Sequence, residues 1–258
     1  MVAQYGIASP AAVESSQPPK VTKPAKAPKM ISAEVAQKAL QKHFPDIQVD
    51  HLDPAPIEGF YQLTLGSDLA YLSTDLRYLM VGDLIDLKDK QKNLTEQARR
   101  VGRLKLLGRI QEKDFIIYKP QKTDYKITVF TDIDCGYCRK MHQMKEQYFG
   151  MGIEIQYLPF PRSGKNTPSY AKAVSAWCAL DQPQALEQAF HAAESKQGES
   201  KKFTARAGCN GAVVDRALAL ARRFGITGTP TLILPNGALV PGYILPDELL
   251  ALLKAQEQ

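Results

Sequence analysis

The stretch that most limits what this chain can become runs from residue 125 to residue 158. It reads "YKITVF", then "TDID", then the paired cysteines of "CGYC", a helical period to about residue 149 closed by Gly150, and the apolar run "IEIQYL". Two strands joined through one helix form a βαβ unit, and strands so joined lie parallel in one sheet. A helical stretch to roughly residue 224 follows. After it come the strand "TLIL", the hairpin turn "PNG", "ALV" and a last helix, "PDELLALLKA". The order βαβ, helical block, hairpin, helix predicts an α/β lobe with a mixed sheet.

Within that frame the cysteines are the most reactive groups in the chain. Zinc would need four ligands, usually two close pairs. The other cysteines, Cys178 and Cys209, stand apart, and His43, His51, His142 and His191 form no close-spaced set. A static staple between residues already on consecutive turns would constrain almost nothing. Redox chemistry explains the placement better. A helix opening at about Cys135 turns unpaired N–H groups and the positive end of its dipole toward that sulfur. The thiolate is thereby favoured and its pKa drops below roughly 8.5. Arg139 and Lys140 are expected to add to the effect, while Asp134 opposes it slightly. Cys138, one turn deeper and less acidic, is the thiol that resolves a mixed disulfide. Asp132 is close enough to accept the proton of that thiol, or is an ordinary turn aspartate. Arg162, in "PFPR", could approach the motif from the end of the next strand, where Pro159 adds stiffness. His142, two turns past Cys135, is expected at an exposed helix position.

The rest of the chain supplies a second, smaller unit. Residues 1–30 are rich in proline, alanine and lysine with no apolar period or signal-like apolar core, so they read as a flexible leader. "SAEVAQKALQKHF" predicts a short amphipathic helix with Val35, Ala36, Ala39, Leu40 and Phe44 on its apolar side. "FYQLTL", "LAYLST" and "RYLMVGDLIDL" predict a three-stranded antiparallel meander. A core this thin gains from pairing with a second copy. "NLTEQARRVGRLKLLGRI" is a charged helix with Leu94, Ala98, Val101, Leu104 and Leu107 on one side, suited to joining two lobes. The resulting division is 1–30 leader, 31–89 N-terminal unit, 90–113 linker helix, and 114–258 catalytic unit with a helical insertion at about 164–224. A scattered net charge of +6 does not favour a nucleic-acid role, and no apolar run approaches the 18 or so residues of a membrane helix.

Two features remain. "GTPT" places Thr229 and Pro230 directly before an apolar strand. A cis bond there would make a tight turn and leave the Thr229 backbone free to pair with an extended substrate, whereas trans is the commoner state on spacing alone. Cys178 and Cys209 enclose about thirty residues and are either a structural bridge or two free core thiols.

"ITVFTDIDCGYC", "YLPFPR" and "GITGTPTLILPNGALVPGY", with "LAYLSTDLRYLMVGDLIDL" upstream, resemble the DsbC family of bacterial periplasmic disulfide isomerases. The resemblance runs from about residue 31 onward. It implies a thioredoxin-like catalytic domain with a helical insertion, joined by the linker helix to a small α+β, cystatin-like dimerisation domain. It further implies Cys135 as nucleophile, Cys138 as resolving thiol, a cis Pro230 after Thr229, and a structural Cys178–Cys209 disulfide. Gly136, Tyr137, Thr229 and Pro230 are the candidate substrate contacts, and Asp132 and Arg162, read from their places in the chain, the candidate residues for tuning the thiols. The family uses no metal or organic cofactor and forms a V-shaped homodimer. It acts as a chaperone on misfolded or mis-oxidised secreted proteins, and is kept reduced by a membrane thiol reductase of DsbD type. The same dithiol could instead serve a thiol oxidase, though Gly-Tyr lacks the histidine cation that would favour one, or be incidental in a non-enzymatic holdase.

Overall fold

The computed structural model describes residues 31–66, 68–89, 92–194 and 203–256, so the leader at 1–30 lies outside the described residues. The N-terminal part begins with α1 (Ala33–Gln41), which buries Ala36 and Leu40 and leaves Val35 45% exposed. Its partner is an antiparallel sheet of β1 (His51–Pro54), β2 (Phe60–Leu65), β3 (Asp68–Ser73) and β4 (Leu79–Met80), in that spatial order. Tyr61, Leu63, Ala70 and Leu72 form the thin core against α1. β1 is an addition to the meander expected from the sequence: "HLDP" alternates too briefly to be read as a strand. The long run "RYLMVGDLIDL" is divided between β4 and β5 (Ile85–Asp86), and β5 pairs with β6 (Lys92–Asn93) in a separate ribbon.

Next comes α2 (Leu94–Leu107), capped by Asn93, whose side chain accepts from Glu96 N. The face it buries differs from the apolar stripe expected. Val101 is 67% exposed, while Thr95 and Arg103 are the buried residues. The reason is polar docking at both ends. Thr95 Oγ1 meets Tyr71 OH at 2.5 Å and accepts from Leu84 N, and Arg103 donates to Glu96 and to Gly237 O. A buried guanidinium needs such partners, and finding them fixes the helix rotation.

The second part is a five-stranded mixed sheet. It comprises β7 (Ile116–Tyr118), β8 (Tyr125–Thr131), β9 (Ile153–Pro159), β10 (Thr231–Ile233) and β11 (Leu239–Pro241), ordered β11-β10-β8-β9-β7. β8 and β9 are parallel, with Thr131 opposite Pro159, and every other pair is antiparallel. β8 is central and buried from Ile127 to Thr131, which is why it carries a nearly unbroken apolar run. The crossover helix comes in two pieces, α3 (Gly136–Gln143) and α4 (Lys145–Gly150), broken at Met144. Between β9 and β10 stand α5 (Pro168–Trp177), α6 (Gln182–Glu194) and α7 (Ala212–Arg223), and α8 (Pro246–Lys254) ends the fold. Trp177, Ala185, Leu186, Val214 and Ala221 carry the core of the sheet into the α5–α7 helices. No helix among the described residues is long and apolar enough to cross a membrane.

Candidate active site

β8 ends at Thr131, and the turn Asp132–Asp134 delivers Cys135 to the first position before α3. There its N–H donates to Asp132 O at 3.0 Å, and its carbonyl accepts from Arg139 N at 3.1 Å. The Cys135 sulfur therefore sits at the positive end of a helix. Cys138, one turn on, is 1% exposed; both are free thiols. The Thr229–Pro230 peptide, just before β10, is cis. From across the sheet end the Thr229 carbonyl oxygen lies 3.2 Å from Cys135 Sγ and accepts from it when that sulfur is protonated. The fold thus brings together residues some ninety-four positions apart in the chain.

The two sulfurs titrate in opposite directions. A hydrogen bond from the Cys138 thiol stabilises the Cys135 thiolate and, over the opposing cost of burial, holds its pKa at about 5. The Cys138 backbone and the Arg162 charge act in the same sense. Burial pushes the Cys138 thiol far up, and the adjacent Cys135 reinforces this. One sulfur is ionised and the other is a proton donor to it, which is the pairing a two-step thiol–disulfide exchanger requires.

Residues 111–257 match the model of the thioredoxin-like domain, and residues 13–96 that of the disulfide bond isomerase protein N-terminal domain. The thiol:disulfide interchange protein DsbC of Escherichia coli (strain K12) is 33% identical over 204 residues, covering 79% of this chain and 80% of that protein. That of Salmonella typhimurium is 31% identical over 212 residues, covering 82% and 84%. The chain belongs to the DsbC family. It is a thiol–disulfide oxidoreductase with a thioredoxin-like domain and the family's N-terminal domain.

In this DsbC-family site the cation whose charge acts on both sulfurs is Arg162. Its Nε and its backbone N both donate to Asp132 Oδ2 at 3.0 Å. Arg139 is turned instead to Ile133 O, and Lys140 lies 5.0 Å from the centre of the Tyr243 ring. Asp134 gives its carboxylate to Lys172 Nζ at 2.6 Å, so the negative charge next to Cys135 is offset rather than free.

Asp132 is 3% exposed and accepts from four donors: Arg162 N, Arg162 Nε, Ser169 Oγ at 2.7 Å and Asp134 N at 3.0 Å. Burial alone would raise its pKa, but these donors outweigh it and hold the carboxylate below its usual range. An acceptor so fully occupied is a poor base. The geometry makes Asp132 an anchor for Arg162, not the proton acceptor weighed from the sequence.

His142 is likewise corrected. It is 2% exposed, because α3 turns Cys138, Met141 and His142 inward together. Its ring stands 4.9 Å from both Tyr118 and Phe190, with Nε2 2.7 Å from Glu187 Oε2 on α6 and Nδ1 3.3 Å from Tyr157 OH. Burial lowers its pKa against the opposing pull of Glu187. Cys178 and Cys209 form a disulfide, Cα–Cα 5.5 Å, tying the end of α5 to the segment before α7. Tyr137 is 64% exposed and stacks on Tyr243 with ring centres 6.3 Å apart. Ser169, Glu187 and Tyr243 were not singled out from the sequence. Nothing local marks them, since each reaches the site only through tertiary contact. Among the described residues there is no group of three or more metal-ligating side chains.

Proposed function

We propose that this protein reshuffles non-native disulfides in secreted proteins of the periplasm, with the Cys135–Cys138 dithiol as its working group. The observation that carries the reading is the opposed acidity of two adjacent free thiols, one at a helix N-terminus and one buried. The Cys135 thiolate attacks one sulfur of a substrate disulfide; a mixed disulfide forms and the other substrate sulfur leaves as a thiolate. If a different substrate thiolate then attacks the substrate sulfur, the substrate is isomerised and Cys135 leaves unchanged. If Cys138 attacks Cys135 instead, the substrate leaves reduced, the Cys138 proton passes to its sulfur, and Cys135–Cys138 becomes a disulfide. A membrane thiol reductase of DsbD type returns the pair to the dithiol.

The substrate lies against Gly136 and Tyr137 on one side and the Thr229–Pro230 turn on the other. Arg162, anchored by Asp132, supplies positive charge to the sulfurs. Two copies pair through the N-terminal domain. Support comes from its edge strand β4 and the segments on either side of it, where Tyr78, Met80, Val81 and Leu87 are 59%, 41%, 72% and 81% exposed. An open sheet edge flanked by apolar side chains is covered by a second copy. The paired arms hold a misfolded chain between them, which gives chaperone activity.

The test is refolding of scrambled ribonuclease. Cys135→Ala abolishes reshuffling, and Cys138→Ala retains isomerisation while losing net reduction. Unchanged reshuffling by Cys135→Ala ends this reading.

A further inference from the structure

One of the links between the α5–α7 helices and the exchange site is a buried hydroxyl in the first turn of α5. Thr167 caps α5: its Oγ1 accepts from Tyr170 N at 3.3 Å and donates to Gly164 O at 2.8 Å, and Pro168 takes the first helical position. The first turn is therefore fixed in direction. Ser169 in that turn is 5% exposed, and its hydroxyl donates to Asp132 Oδ1 at 2.7 Å. The opposite oxygen, Oδ2, takes both donors of Arg162. The Arg162 side chain is 45% exposed, so it has room to move once its carboxylate is loosened.

We propose that Ser169 is a positioning residue of the exchange site: by holding Oδ1 it fixes the Asp132 carboxylate so that Oδ2 keeps the Arg162 guanidinium beside the two sulfurs. The packing of α5 thereby contributes to the reactivity of the nucleophile. This inference rests on Cys135 being the attacking thiolate. A carboxylate with one oxygen held by a buried side chain and the other by an arginine has a defined plane. Removing the hydroxyl leaves Oδ1 with the Asp134 N–H alone, so the plane of the carboxylate, and with it the Arg162 guanidinium, is less tightly held. Arg162 acts on both sulfurs, so its displacement withdraws positive charge from the thiolate.

The experiment follows iodoacetamide alkylation of Cys135 against pH in Ser169→Ala, with denaturant stability measured on the same samples. The midpoint moves up, so alkylation at the wild-type midpoint falls about three-fold, a fraction of what a full hydrogen bond to a charge would give. Ser169→Thr, which keeps the hydroxyl, restores the wild-type profile. In the Asp132→Asn background Ser169→Ala causes no further change. A midpoint equal to wild type overturns the proposal whatever happens to stability, as does a shift that persists undiminished with Asp132→Asn. A wild-type Cys135 without an acidic midpoint refutes the exchange reading itself; an acidic wild type indifferent to Ser169→Ala refutes only this inference.

Discussion

Gly237 is the point at which α2 is clipped to the β10–β11 turn, and replacing it with alanine should release the helix. The glycine has φ +81°, and a Cβ there would lie 2.9 Å from Arg100 Cα and closer still to the Arg100 carbonyl group. Those atoms are helix backbone and cannot rotate aside. The unfavourable φ costs about 1–2 kcal/mol for alanine. Moving α2 away sacrifices the 3.1 Å bond from Arg103 Nη1 to Gly237 O, worth about 1.5–3 kcal/mol for a buried charged donor. The φ penalty stays with the turn whether or not the helix is docked, so what falls on docking of the C-terminal half of α2 is the loss of that bond, about 1.5–3 kcal/mol, while Thr95 still holds the other end to Tyr71 and Leu84. Native-state hydrogen exchange reads this directly. Amides of α2 should lose protection by about ten- to a hundred-fold, while β8 and β9 change little. Gly237→Asn tolerates the backbone angle but keeps the clash, so it should behave nearly as Gly237→Ala. Unchanged α2 protection in both variants would refute the reasoning, since the helix would then not depend on this contact.

Two further outcomes follow from the same geometry. The Cys178–Cys209 bridge closes a loop with a sequence separation of 31, so the double substitution Cys178→Ala/Cys209→Ala should lose about 3–4 kcal/mol in urea unfolding while exchange at Cys135 survives. His142 has a folded pKa depressed by burial, so the unfolded chain takes up a proton first as pH falls. Stability of the oxidised protein, in which the cysteines do not titrate, should therefore decline as pH drops below about 6.5, and His142→Gln should flatten that decline in a thermal melt.

The catalytic lobe was readable because its signals are local. β8 announces itself by a run of apolar residues, and the cysteine pair by its position at a strand-to-helix turn. The N-terminal unit was less readable because its short strands, β1 and β4 to β6, contribute between two and four residues each, too few to show a period. The buried face of α2 is not legible in its apolar period for a related reason. Periodicity selected Val101 and Leu104, but rotation is set by Thr95 and Arg103 finding partners more than ten residues away. Within the site, Cys135 and Cys138 carry their chemistry in their spacing, whereas Asp132 needed its donors on view. An aspartate near a thiol reads as a base until Ser169 and Arg162 are seen occupying its oxygens. His142 is similar, since α6 covers it and α6 lies some forty-five residues on.

All of the proposed chemistry depends on Cys135 standing ionised beside a protonated Cys138. The rate of Cys135 alkylation in the reduced protein, followed against pH, tests this most directly. The account predicts half-maximal reactivity near pH 5 with a plateau through neutrality, and no competing modification of Cys138 in the folded state. A rate still climbing at about pH 8.5, as for an unperturbed thiol, would contradict it.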